Sequence, residues 1–242
     1  FKESGIEPSS LPELTLFLNK ASGNMNDWLQ SALQLYKNSQ PVAKELLQYY
    51  FDTDKTSFLP LAHELFAMNE QAWVDFLKGY LSPELDRELF VRVYLKHVAN
   101  SLKISDYLIV QKYLSKADVD QLLKELYWCE TFKAKILEAE QRFDEIKQMA
   151  EKSISKWDFA TIIQPILHVY PDFCFKRIKE TATSTLQAER GRKAYKLIAN
   201  WLQQAQTVPG FETDALQLIQ QLYTHKPNLP ALKDEMRQAG LV

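Results

Sequence analysis

Apolar residues recur along this chain every three or four positions, the spacing that gathers them on one face of a helix. Trp28, Leu29, Ala32, Leu35 and Tyr36 form one stripe, and Leu85, Leu89, Val93 and His97 form another. Leu11, Leu14, Phe17 and Leu18 share a face behind Ser10-Leu11-Pro12-Glu13, which has capping-box spacing. Gly23-Asn24 ends that first helix, and Pro41 opens a third that runs through Leu46, Leu47 and Tyr50. Between Thr56 and Leu81 the pattern predicts two helices. One carries Leu61, Leu65 and Phe66; the other carries Trp73, Phe76 and Leu77 and ends at Gly79. Ser82-Pro83-Glu84 predicts a further start, with serine at the cap and proline in the first turn. Ile104 to Leu114 also reads as helix, although its β-branched residues weaken the propensity.

The second half continues in the same way. Ser115-Lys116-Ala117-Asp118 restarts a helix through Leu122, Leu123 and Leu126. Glu130 to Lys152 is a long charged helical stretch with a break expected near Glu138. Trp157 to His168 reads as a helix with Pro165 in its second half. Pro171 to Thr185, Ala188 to Gln206, Phe211 to His225 and Asn228 to Ala239 follow, with a turn at Pro209-Gly210 and Gly240 as the closing glycine. A local pattern recurs: Ile163 to Leu167 leads to Pro171-Asp172, and Ile219 to Tyr223 leads to Pro227-Asn228. Each is a helix end, a proline stop and a polar residue able to start the next helix.

This makes about a dozen helices of ordinary length with short connections, which favour antiparallel neighbours. The predicted fold is all-α: antiparallel helix pairs stacked as a TPR-like α-solenoid, a superhelical array in which each pair buries its face against the next. Periodicity alone does not separate that array from a compact multi-helix globule. Trp28, Trp73, Trp128, Trp157 and Trp201 are widely spaced, as expected if each layer needs one large apolar filler. The organisation reads as an N-terminal helical half, 1–115, and a C-terminal helical repeat region, 116–242, in one continuous array. Stacked helical hairpins make surfaces that hold partners more readily than pockets for chemistry.

Composition narrows the picture. The 242 residues are 46% hydrophobic and 25% charged, a globular balance, and six glycines are few for an all-β fold. A net charge of −2 gives no bulk attraction to nucleic acid or to an acidic membrane. No run of about 20 apolar residues is present to span a bilayer. Cys129 and Cys174 lie far apart and read as buried free thiols, which points to a reducing, cytoplasmic setting. The chain begins at Phe1 rather than Met, so it is expected to be a piece of a longer protein.

From about Ala139 the chain resembles the C-terminal helical region of bacterial SWIM zinc-finger proteins. The resemblance rests on Trp157, on His168 to Asp172 (HVYPD), on Arg190 to Tyr195 (RGRKAY), and on Trp201-Leu202. It extends to Pro230 to Glu235 (PALKDE) and to Ala239-Gly240-Leu241. It covers roughly the last two fifths of the chain. It implies a tetratricopeptide-like helical array downstream of a zinc finger. The finger's Cys-x-Cys and Cys-x-His pairs are absent from this sequence, so zinc and DNA binding do not carry over to these residues. No catalytic residues carry over from the helical region either.

Candidate chemistry is sparse. His63, His97, His168 and His225 include no pair three or four apart, so no helix displays a metal-ligand pair. His168 and Cys174 could form a nucleophile dyad, but nothing supplies an oxyanion hole beside them. Glu138, Glu140, Asp144, Glu145 and Glu151 alternate with Lys135, Arg142, Lys147 and Lys152, and Glu138 with Arg142 reads as an attractive i, i+4 pair. That pattern is a solvated helix face. No glycine-rich phosphate loop occurs.

The leading binding candidate is the basic cluster Lys176, Arg177, Lys179, Arg190, Arg192, Lys193 and Lys196, which consecutive antiparallel helices could set on one edge. It would suit an acidic partner or nucleic acid; the plainer reading is an exposed face, with Arg192 tied into helix packing. Tyr49, Tyr50 and Phe51, and Tyr127 and Trp128, are runs of aromatics. One of them could line a groove for a peptide helix, or they could form a wide face between layers. The expected function is a non-catalytic helical scaffold for protein–protein interaction. It needs no cofactor or metal in this fragment, and its partner is a protein or peptide. The alternative is an accessory module of a zinc-finger protein whose basic edge, 176–196, meets nucleic acid or an acidic partner.

Overall fold

In the computed structural model the described residues are 12–152 and 155–242, and side chains are described from Leu16 onward. Ser10 and Leu11 of the expected capping box therefore lie outside the described residues, as do the side chains of Glu13 and Leu14. Among those described, fifteen α-helices and no strand are present. The chain divides into two compact units, 1–117 and 118–242.

In the first unit each helix packs on the next: α1 (Pro12–Ala21), α2 (Met25–Leu35), α3 (Gln40–Thr53), α4 (Lys55–Met68), α5 (Glu70–Leu77), α6 (Arg87–Ser101) and α7 (Ile104–Gln111). Gly23 ends α1 at φ +76°. The Asn24 amide reaches the Asn19 carbonyl and the Gly23 amide reaches Lys20, the double closure that a left-handed residue allows. The stripes read from sequence for α2 to α6 face inward, but that of α1 does not: Phe17 and Leu18 are exposed and Leu16 is the buried residue. Trp28, Ala32, Leu46, Leu47, Phe58, Leu65, Phe66, Leu77, Leu89 and Val93 are buried. Tyr49, Tyr50 and Phe51 are all half-buried; Tyr49 meets Trp28 edge-on, and Phe51 meets Phe58 and Tyr80. They form the wide interlayer face.

The start at Ser82 is corrected. Residues 83–85 form a turn, closed by the Leu85 amide donating to Ser82 Oγ at 3.3 Å, and the helix begins after Asp86. Asp86 Oδ1 accepts the Leu89 amide at 2.9 Å, so a carboxylate four residues further on takes the cap. His97, on α6, lies near Lys78 Nζ (3.0 Å) and Asp106 Oδ2 (3.1 Å), a polar tie between the end of α5, α6 and α7.

α8 (Lys116–Glu125) straddles the division between the units. The second unit continues with α9 (Glu130–Ala139), α10 (Phe143–Glu151) and α11 (Phe159–Ile163), which tightens into a 3-10 turn at Gln164–Ile166. It ends with α12 (Pro171–Ala188), α13 (Arg192–Gln206), α14 (Glu212–Tyr223) and α15 (Pro230–Gln238). The break near Glu138 is real. Gln141 sits at φ +56°, with the Arg142 amide reaching back to the Leu137 carbonyl. The i, i+4 pairing of Glu138 with Arg142 is lost in that break. Arg142 instead binds Glu145 at 2.6 Å and Asp120 at 2.7 Å.

Other expected boundaries shift. Trp157 precedes its helix in a turn, and Pro165, which has no amide hydrogen, tightens the helix end. Ala188 closes α12 rather than opening α13; Gly191 at φ +117° turns the chain between them. Trp28, Trp73 and Trp201 fill cores as expected, but Trp128 and Trp157 are 59% and 57% exposed.

Packing in this unit is not only sequential. α13 packs on α12 and α14, and also on α15; α9 packs on α10, and also on α11; α11 reaches α13. The helices α9, α11, α13 and α15 therefore form one row.

Candidate functional site

Seven residues were expected on one basic edge, and the structure distributes them. Arg177 donates through Nε and Nη2 to the Ala150 carbonyl at 3.2 and 3.1 Å, in the last turn of α10, and through Nη1 to Glu180. A cation there meets the unpaired carbonyls at a helix C-terminus. Arg190 Nη1 donates to the Leu186 carbonyl near the end of α12. Arg192 pairs with Glu235 at 3.2 Å and Asp234 at 3.7 Å, joining the start of α13 to α15. These three arginines serve packing.

The four lysines differ. Lys176, Lys179, Lys193 and Lys196 are exposed, and none is ion-paired among the described residues. They do not share one surface. Lys176 and Lys179 border a shallow depression along α12 itself. Lys193 and Lys196 stand at the opposite end of the antiparallel pair, in the first turns of α13. By helical rise, Lys176 lies about 18 Å from the end of α12 that adjoins them.

Lys193 and Lys196 line a groove of about 830 Å³ between α13 and α15. Its floor includes Leu197 and Ala199, and the exposed Trp157 indole stands at its edge. Trp157 is held there by its neighbour: Lys156 binds Glu189 in the α12–α13 connection, and its Nζ lies 5.8 Å from the Trp157 ring centroid. Gln203 Nε2 donates to the Ala239 carbonyl at 2.7 Å, linking α13 to the end of α15.

A second depression of about 510 Å³ lies on the other side of α13, against α9 and α11. Asn200 and Gln203 border both. Its lining includes the polar residues Lys135, Glu138, Gln164 and Thr207 together with Ala160 and Pro165, and more of the lining surface is apolar than polar. Gln204 forms part of its floor. That side chain is 8% exposed and donates through Nε2 to the Ala160 carbonyl at 2.9 Å and to Gln164 Oε1 at 2.7 Å. Its Oε1 is buried without a hydrogen-bond partner.

Helix-forming residues of this surface come from the row α9, α11, α13 and α15. The sequence reading placed Lys193 and Lys196 in a binding cluster, took Trp157 for a core filler and Lys135 for part of a solvated helix face, and passed over Asn200, Gln203 and Gln204. A signal was present. Lys193, Lys196, Asn200, Gln203 and Thr207 are polar at helical spacing, opposite the buried Tyr195, Ile198, Trp201, Leu202 and Ala205.

The imagined dyad does not form. The Cys174 thiol is buried, donates to the Ile166 carbonyl at 3.4 Å and is pushed up to about 12 by burial, which keeps it protonated. His168 is exposed. Among the described residues no cluster of three or more His, Cys, Asp or Glu side chains is arranged to hold a metal, and no helix is long and apolar enough to cross a membrane.

No family model, curated protein or solved structure matches this chain.

Proposed function

We propose that this chain is a non-catalytic helical scaffold that holds a protein or peptide partner in the cytoplasm. The observation that carries the reading is the pair of depressions that flank α13 and share Asn200 and Gln203, one of them bordered by an exposed tryptophan and two unpaired lysines. Interfaces draw much of their energy from a few aromatic and cationic anchors set in a polar rim. The resemblance to the helical region of SWIM zinc-finger proteins supports a partner-holding role. The protonated, enclosed Cys174 lends no support to nucleophilic chemistry.

The second reading is an accessory module that meets nucleic acid through 176–196. It is favoured by the four unpaired lysines, Lys176, Lys179, Lys193 and Lys196. Both readings are tested with one variant set. Affinity recovery with the wild-type chain should retain a protein that Trp157→Ala with Lys193→Glu and Lys196→Glu fails to retain. Equal recovery by both, together with salt-sensitive DNA binding weakened by reversing Lys176, Lys179, Lys193 and Lys196, would overturn the scaffold in favour of the accessory module. Arg190 and Arg192 are left intact because their reversal would break helix packing.

A further inference from the structure

We infer that the surface along α13 takes an extended peptide segment of about six residues, with an acidic residue seated beside Lys193 and Lys196. The inference rests on the scaffold reading and specifies what the scaffold holds.

Length comes first. Lys193 and Thr207 lie fourteen residues apart on α13, about 21 Å at the helical rise. An extended chain covers that in about six residues at ~3.3 Å each. The amides set into this surface bear on the conformation. Asn200, Gln203 and Gln164 are exposed amides; Gln203 already donates to the Ala239 carbonyl and Gln164 Oε1 already accepts from Gln204, which leaves the Gln203 oxygen and the Gln164 amide hydrogens to meet a ligand. An extended segment presents unpaired main-chain N–H and C=O groups that such amides can meet. A docked helix has already satisfied its own, and would press apolar side chains onto these amides.

Charge then sets the composition and direction. At one end stand Lys193 and Lys196, unpaired among the described residues, in the first turns of α13, where the helix dipole is also positive. Glu235 borders the same groove but is engaged by Arg192. At the other end Lys135 is offset by Glu138. The surface is therefore cationic at one end and near neutral at the other, which suits an acidic residue at a single end. A nucleic-acid strand fits less well, because successive phosphates along the same path would pass Glu138 and Glu235. Trp157, beside the lysines, supplies apolar contact for the residue next to the acid.

The test uses the whole chain and four fluorescein-labelled pools of random hexapeptides, read by anisotropy. Two pools carry Glu-Glu, one at the N-terminal end and one at the C-terminal end; a third carries Lys-Lys; the fourth has no fixed charge. One Glu-Glu pool should bind at least about tenfold more tightly than the Lys-Lys pool, as expected for two partly desolvated lysines acting together. The preference should disappear in Lys193→Gln/Lys196→Gln and invert in Lys193→Glu/Lys196→Glu. It should persist in Lys176→Glu/Lys179→Glu. All four positions are exposed, and circular dichroism should show unchanged helicity. Binding should also shift the tryptophan emission, and Trp157→Phe should remove that shift.

Equal binding of acidic and basic pools would overturn the inference while leaving a peptide-holding scaffold. So would an equal effect of reversing Lys176 and Lys179. Absence of binding by every pool would overturn the inference alone, because the scaffold is tested by variant-dependent partner recovery. Tighter binding of a thymidylate octamer than of any pool, lost on reversal of Lys193 and Lys196, would overturn both.

Discussion

Asp86 concentrates several effects in one side chain. Its Oδ1 caps α6 through the Leu89 amide, and its Oδ2 lies 2.7 Å from His63 Nε2. Burial alone would raise its pKa, but the Leu89 amide and His63 outweigh that and hold it below the ordinary carboxylate value. A depressed carboxylate stabilises the fold above its unfolded pKa, near 3.9, and loses that contribution as pH falls through the folded value. Asp86→Ala should therefore cost about 1 kcal/mol at neutral pH and remove part of the acid-side loss. Urea unfolding at pH 7 and below pH 4, wild type against variant, measures both; an unchanged acid limb would deny Asp86 this role. At this scale the sequence was partly readable. Ser82-Pro83-Glu84 has every local mark of a helix start, yet Asp86 caps the helix, because only the fold brings His63 from α4 against it. Gly23 and Gly240 were legible as helix closures; Gln141, which adopts the same left-handed conformation, carried no such mark.

Among the helices other than α1, where Phe17 and Leu18 of the expected stripe are exposed, the apolar stripes predicted which faces turn inward, because burial on a helix follows the 3.6-residue period. They did not predict which tryptophans join a core. Trp201 lies within α13, fully buried and edge-on to Phe159 at 5.7 Å. Trp157 and Trp128 occupy turns, where no period dictates a direction. Trp201→Ala should destabilise the second unit by about 3–5 kcal/mol. Trp157→Ala should change stability by no more than about 0.5 kcal/mol, as exposed substitutions usually do. Thermal unfolding of the two variants side by side checks the contrast, and a comparable loss from Trp157→Ala would place that indole in the core. The charged stretch 130–152 fails for a related reason. Periodic pairing such as Glu138 with Arg142 assumes an unbroken helix, and the left-handed Gln141 ends it.

Across the whole molecule, the helical character and the short connections were plain in the sequence, since both are local properties. The groove and the depression beside it were not. The groove lies between α13 and α15 and the depression between α13, α9 and α11, and their apposition depends on packing between helices that are not consecutive in the chain. The division between units falls inside α8. A fragment spanning 115–242 keeps α8 whole and should unfold cooperatively with the α13 surface intact. One starting at Asp118 forfeits the first turn of that helix and should melt at a lower temperature. Circular dichroism melts of the two fragments test this; identical melting would show that the first turn of α8 contributes nothing.

The two thiols of the C-terminal unit sit in unlike places. Cys129 is half-buried just ahead of α9, and Cys174 is sealed within α12. A maleimide dye would thus find a single ready handle on the intact molecule, one residue from the exposed Trp128 indole, while the other sulfur stays silent until the helices part. The native chain accordingly carries its own attachment point for a reporter, and its own alarm for opening, without any residue being changed.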